Sequence, residues 1–145
     1  MAEVSRSALL MYSADEMYKL VNDVHAYPEF LPGCTDAKIL THVDGQMSAS
    51  VTVSKAGIKQ VFTTQNCLSD GREINMNLVD GPFKHLSGGW HFTPLDEQAC
   101  KVSLDLTFEF SSKLVEIAFG RIFNELVGSM VKSFSERAKI VYGVR

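Results

Sequence analysis

The most constraining feature of this chain is a change of period near residue 111. Val102, Leu104, Leu106, Phe108 and Phe110 alternate strictly with Ser103, Asp105, Thr107 and Glu109. A period of two places the five apolar side chains on one face of a strand and the polar ones on the other. From Leu114 to Tyr142 there is no proline, and only Gly120 and Gly128 interrupt, so one long helix is expected. At about 100° per residue, Val115, Phe119, Ile122, Phe123, Leu126, Val127, Met130, Phe134 and Val141 fall within an arc of about 140°. Arg121, Asn124, Glu125, Lys132, Glu136 and Lys139 lie largely opposite. Arg121–Glu125 and Lys132–Glu136 have the i,i+4 spacing of exposed ion pairs.

The period of two extends upstream to Asp36. Met47, Ala49, Val51 and Val53 alternate with Ser48, Ser50, Thr52 and Ser54, which reads as a strand buried on one face. Segments 60–68 and 72–79 are two further strands, joined by a turn at 69–72. Gly81-Pro82-Phe83 and Gly88-Gly89 read as punctuation before a strand opening at Trp90, and residues 96–99 as the turn into the last strand. About six antiparallel strands therefore precede the long helix.

The N-terminal part is different. Val4–Met11 reads as a strand with poorer alternation. Ser13 followed by Glu16 forms a capping box, and Met17, Leu20 and Val21 make one face of a short helix. Residues 22–34 then set Pro28 and Pro32 among Tyr27, Phe30 and Leu31. The prolines restrict this stretch to a second, broken helical turn, yet its side chains are too apolar for a solvated loop. No linker, repeat or low-complexity segment interrupts the order, which describes one α+β domain over residues 1–145, a terminal helix laid across a curved sheet.

Charge narrows the partners. The net charge of −3 argues against a binder that relies on a generally basic surface. Residues 113–145 nevertheless carry six Lys/Arg against three Asp/Glu, whereas residues 1–112 carry eight against fourteen. Arg121, Lys132, Lys139 and Arg145 in this basic stretch suit either an anionic partner or an ordinary solvated helix face. Cys34, Cys67 and Cys100 are far apart, without C-x-x-C spacing, and read as packed single thiols. No apolar run reaches the roughly 18–20 residues of a membrane span. Met1–Arg6 lacks the basic start and apolar stretch of a signal peptide, so a cytoplasmic location is expected.

Convergent chemistry is missing from the pattern. His25, His42, His85 and His91 form no H-x-x-x-H pair and stand beside no cysteine at ligand spacing, so no metal site is expected. Asp105 and Glu109 share the polar face of their strand and should meet water, which gives neither burial nor a raised pKa. The glycines match no phosphate loop. No catalytic residue is assigned. Phe119, Phe123, Leu126, Met130 and Phe134 can either complete a solid core against the sheet or, if the sheet curves strongly, help enclose an elongated apolar cavity.

Several long stretches resemble a known family. "LVNDVHAYPEFLPGC" is similar to the "V-x-D-V-x-x-Y-P-x-F-L-P-x-C" hallmark of the coenzyme Q-binding branch of the START-like, helix-grip superfamily of polyketide cyclase/dehydrase type. "VSKAGIKQVFTT", "LVDGPFKHLSGGWHFTPL" and "LDLTFEFSSKLVEIAFGRIF" resemble the bacterial ribosome-association toxins within it. The resemblance runs from about Val4 to Tyr142 without a large gap. Gly33 departs from it, standing where many relatives carry a tryptophan after "FLP".

The resemblance implies a seven-stranded curved antiparallel sheet wrapped around the long C-terminal helix. A tunnel would lie between them, with two short helices after the first strand at one end. Tyr27, Phe30 and Leu31 would either cap the tunnel mouth or plug a filled core. Trp90, Phe92, Phe108, Phe119, Phe123 and Met130 are the candidate lining. The implied roles are three. One is binding the large ribosomal subunit and blocking its association with the small one, with an antitoxin partner and Arg121, Lys132, Lys139 and Arg145 as the basic surface. Another is holding ubiquinone or another isoprenoid lipid in support of respiration, with no required cofactor. The third is polyketide cyclase-like catalysis, which would need His25, Tyr27 or Asn77 to point into a roomy cavity. The reading adopted is a non-catalytic binding protein of the toxin type that also accepts a quinone-like hydrophobic small molecule.

Overall fold

The computed structural model describes residues 2–145; Met1, the start of the segment read for a leader, lies outside them. Seven strands form one antiparallel sheet: β1 (Ala2–Leu10), β2 (Cys34–Val43), β3 (Gln46–Lys55), β4 (Ile58–Ser69), β5 (Glu73–Asp80), β6 (Phe83–Asp96) and β7 (Ala99–Phe110). They stand in the order β1-β7-β6-β5-β4-β3-β2, a meander from β2 to β7 with β1 added beside β7. Helix α1 (Ala14–Asn22) and a 3₁₀ helix (Val24–Glu29) fill the connection from β1 to β2, and α2 (Lys113–Tyr142) follows the sheet. The fold is α+β, with the curved sheet gripping the long helix.

Local chemistry sets the element boundaries. Ser13 Oγ accepts the Glu16 N–H at 3.1 Å while the Glu16 carboxylate accepts the Ser13 N–H at 3.0 Å, so the expected capping box is present. Met17, Leu20 and Val21 are buried, as the spacing predicts. Ser112 caps α2 by accepting the Val115 N–H at 3.1 Å. In β7 the alternation is realised in full: Val102, Leu104, Leu106, Phe108 and Phe110 are buried, while Asp105 and Glu109 are exposed on the outer face.

Two readings are corrected. Gly88 and Gly89 are not a turn; they lie in the middle of β6. Gly88 has φ +140°, and a Cβ there would run into the Asp105 carbonyl of β7; one on Gly89 would meet the Ile74 carbonyl of β5. Absent side chains let three backbones approach closely where the sheet bends. The spacing puts Val141 on the apolar face of α2, but it is exposed, whereas Val131 and Ala138 are buried there. The last turn of α2 instead turns Tyr142 inward, and its hydroxyl donates to the Glu16 carbonyl at 2.9 Å. Of the two expected helix ion pairs, Arg121–Glu125 closes at 3.5 Å.

The departure at Gly33 has a backbone reason. Its φ of +79° lies in the left-handed region, and its carbonyl accepts the Ser54 N–H at 2.8 Å. Glycine takes this conformation without the steric cost a tryptophan would carry.

Candidate functional site: an apolar cavity under a proline-bracketed cap

One end of the concave space between sheet and helix is solid. Phe83, Phe108, Phe110, Phe119 and Phe123 pack mostly edge to face, with Phe83–Phe123 centroids 4.8 Å apart and Phe108–Phe123 4.9 Å apart. The middle is not completely filled. A cavity of about 70 Å³ lies beneath the middle of α2, bordered there by Phe123, Leu126, Val127 and Met130. Ala49 and Val51 of β3, Phe62, Thr64 and Asn66 of β4 and Met76 of β5 form part of its wall. Leu86 and Trp90 of β6 and Leu106 of β7 complete it, and Val24, Tyr27 and Leu31 close one end. The question left open by periodicity therefore has a divided answer, a packed aromatic end and a hollow middle.

The proline-bracketed stretch covers one end of the hollow part, with Val24, Tyr27 and Leu31 on its wall. Its 3₁₀ helix is held by the Tyr27 carbonyl, which accepts the N–H groups of Phe30 at 3.3 Å and Leu31 at 3.0 Å. Tyr27 is buried, and its hydroxyl donates to the Val21 carbonyl. Burial pushes its phenol above the usual tyrosine range, with Cys34 and Asp23 adding to the rise, so it stays protonated. Phe30 packs edge-on against Phe134 at 5.0 Å and lies under the Arg137 guanidinium at 5.1 Å. Arg137 also reaches Glu29 at 3.5 Å, joining α2 to the cap.

Of the residues expected at the cavity, Tyr27, Leu31, Trp90, Phe123 and Met130 line it. Phe30 stands behind the cap, Phe92 is packed between Trp90 and Tyr18, and Phe108 and Phe119 belong to the aromatic end. Thr64 and Asn66 were not anticipated. They are the buried polar side chains of the cavity wall, and Thr64 Oγ1 donates to Asn66 Oδ1 at 2.8 Å. A sequence signal existed: Phe62, Thr64, Asn66 and Leu68 alternate along β4, so its inward face carries two polar residues between apolar ones.

The residues whose inward placement would favour catalysis are mostly elsewhere. His25 and Asn77 are exposed, and only Tyr27 reaches the cavity. His91 stands 3.4 Å from Glu73 and His85 3.0 Å from Ser87, both on the sheet. Among the described residues, no group of three His, Cys, Asp or Glu side chains comes together. No helix among them is long and apolar enough to cross a membrane.

The basic residues of α2 are placed unequally. Lys132 and Lys139 are exposed one above the other at i,i+7, and Arg121 is exposed beside Glu125. Arg145 is engaged: it holds Glu16 through two N–H···O bonds and stacks over Tyr12 at 5.1 Å.

Comparison with known proteins gives a consistent picture. Residues 10–135 match the family model described as polyketide cyclase / dehydrase and lipid transport. The chain is 62% identical over 143 residues to a Vibrio cholerae protein named ribosome association toxin RatA, covering 99% of each. It is 29% identical to the mitochondrial coenzyme Q-binding protein COQ10 homolog B of Xenopus laevis, covering 97% of this chain and 59% of that one. A crystal structure of the Thermus thermophilus protein TTHA0849 superposes with a TM-score of 0.80, covering 94% of this chain and 96% of that one, at 19% identity, a likeness of fold.

Proposed function

This chain belongs to the polyketide cyclase / dehydrase and lipid transport family, and within it we propose a non-catalytic toxin-type protein that binds the large ribosomal subunit and blocks subunit joining. The observation that carries this reading is the full-length likeness to proteins named for ribosome association. The exposed Lys132 and Lys139, with Arg121 on the same helix, supply a local cationic face on an acidic body, suited to a small anionic footprint. The proposal that catalysis is absent rests on the cavity wall. Its one titratable side chain, Tyr27, is already committed to a backbone carbonyl and held protonated.

The decisive experiment mixes the purified protein with separated ribosomal subunits at associating magnesium and resolves them on a sucrose gradient. Subunits that stay apart, with the protein travelling on the large one, support the proposal. Normal association with the protein left at the top of the gradient overturns it.

A second reading is favoured by the cavity itself, which fits an isoprenoid quinone or similar apolar molecule as its occupant. Burial of an apolar tail requires only non-directional contact, which this wall offers. At about 70 Å³ the space is far below the roughly 300–1,000 Å³ of ordinary ligand pockets. Occupancy therefore requires the wall to move outward, for which the short segment over residues 24–31 is the part we propose, and the two readings meet if that movement alters the surface the ribosome would contact.

A further inference from the structure

Asn66 is 94% buried, at 6% exposure, in a wall that is otherwise almost wholly apolar. Its side-chain oxygen is taken by the Thr64 hydroxyl at 2.8 Å. Its amide nitrogen has no hydrogen-bond partner among the described residues and is not sealed off by neighbouring atoms. It stands where the main cavity meets a smaller annex of about 20 Å³, lined in part by Val21, Asn22 and Ile74. An apolar residue of similar size would close this part of the wall without placing a polar group there.

The regular alternation of β4 turns this pair inward with Phe62 and Leu68. Beside it the β4–β5 register shifts, Thr63 pairing with Asp80 and Thr64 with Leu78, so the extra residue, Val79, lies on β5. Thr64 Oγ1, 2.8 Å from the Asn66 side-chain oxygen, engages that end of the amide and leaves its N–H groups to meet an occupant.

We propose that Asn66, oriented by Thr64, anchors a carbonyl oxygen of an apolar ligand held in this cavity. The ligand class is an otherwise hydrophobic molecule carrying a ketone, quinone or ester acceptor at the end that reaches β4. Its apolar remainder runs between Trp90 and the Leu126–Met130 stretch of α2. The inference rests on the second reading above and adds to it a polarity requirement and an orientation of the bound molecule.

Trp90 is the only tryptophan and lines the cavity, so its emission reports occupancy directly. The probes are butyl-benzoquinone and butylbenzene, matched in tail and similar in ring size and differing chiefly in the carbonyl oxygens, with affinities checked by calorimetry. Wild type should bind the quinone about 3–10-fold more tightly, the range of one neutral hydrogen bond. Asn66→Leu should abolish that preference without weakening butylbenzene. Thr64→Val, which leaves the amide in place but unaligned, should reduce it; circular dichroism shows that each variant is folded, and Thr64→Val decides alone if Asn66→Leu is not. A quinone preference that survives in the folded variants overturns the anchor while the cavity reading stands. Failure of wild type to bind either probe overturns the cavity reading and the anchor with it.

Discussion

Arg145 holds the Glu16 carboxylate through two hydrogen bonds of 2.6 and 2.8 Å, while the same carboxylate caps the first turn of α1. The Arg145 bonds are the main reason the Glu16 pKa falls from 4.5 to about 2, with the Ser13 N–H assisting and partial burial opposing. A carboxylate lowered in the folded state stabilises it above pH 4.5, and that contribution is lost as pH falls toward 2. Arg145→Ala should raise the Glu16 midpoint toward the ordinary glutamate range in a carboxyl NMR titration. Its acid unfolding should correspondingly depend less on pH over that interval.

Phe134 is fully buried where the cap, the sheet and α2 meet, with ring centroids 5.0 Å from Phe30, 5.5 Å from Tyr27 and 5.3 Å from Trp90. Phe134→Ala removes the common contact of all three and should destabilise the protein by about 3–5 kcal/mol in urea unfolding.

Gly88→Ala should be costly although it adds one methyl group. The φ of +140° disfavours any L side chain, and the new methyl meets the Asp105 carbonyl across the strand pair. Backbone strain and overpacking together should cost on the order of 2–5 kcal/mol, read as a lowered thermal midpoint. Gly45→Ala, at a φ of +77° with nothing near the new atom, separates backbone strain from the clash.

The thiols should divide one against two. Cys67 is exposed, whereas Cys34 and Cys100 are buried and burial raises each to about 11. A disulfide reagent at neutral pH should titrate one thiol in the native protein and three after denaturation, because the thiolate is the reacting form.

Lys132→Glu combined with Lys139→Glu reverses two exposed charges on one face of α2 without touching the core. If that face meets the ribosome, the double variant should lose most of its association with the large subunit, and wild-type association should weaken steeply with salt. Association unchanged by the double variant would place the contact on another surface.

Much of the fold was legible because the burial pattern is written plainly along particular elements. In β7 every inward residue is apolar, and in α1 Ser13 and Glu16 announce the helix start. Legibility failed where one residue type serves two geometries. Gly88-Gly89 is equally compatible with a turn and with close backbone contact inside a strand, and only pairing with Asp105 and Asn75 distinguishes them. The periodicity of α2 continues to Val141, but the covering surface at that end is α1, which takes Tyr142. At the cavity the sequence directed attention to large aromatics. Those on the aromatic end, Phe108 and Phe119, pack instead against Phe110 and Phe123, and the hollow wall mixes a few aromatics with aliphatic residues and the unexpected Thr64–Asn66 pair.

The pairing of β1 with β7, Ala2 opposite Phe108 through Leu10 opposite Cys100, joins segments about a hundred residues apart. During synthesis β2 to β7 can zip together neighbour by neighbour as each hairpin emerges. β1 must wait for its mate, and the inner surface of the growing meander stays uncovered until α2 has followed it out. For most of its own production this chain is therefore a sticky, half-closed trough, and a polypeptide stopped short of its final thirty-odd residues should aggregate rather than rest as a smaller version of the finished protein.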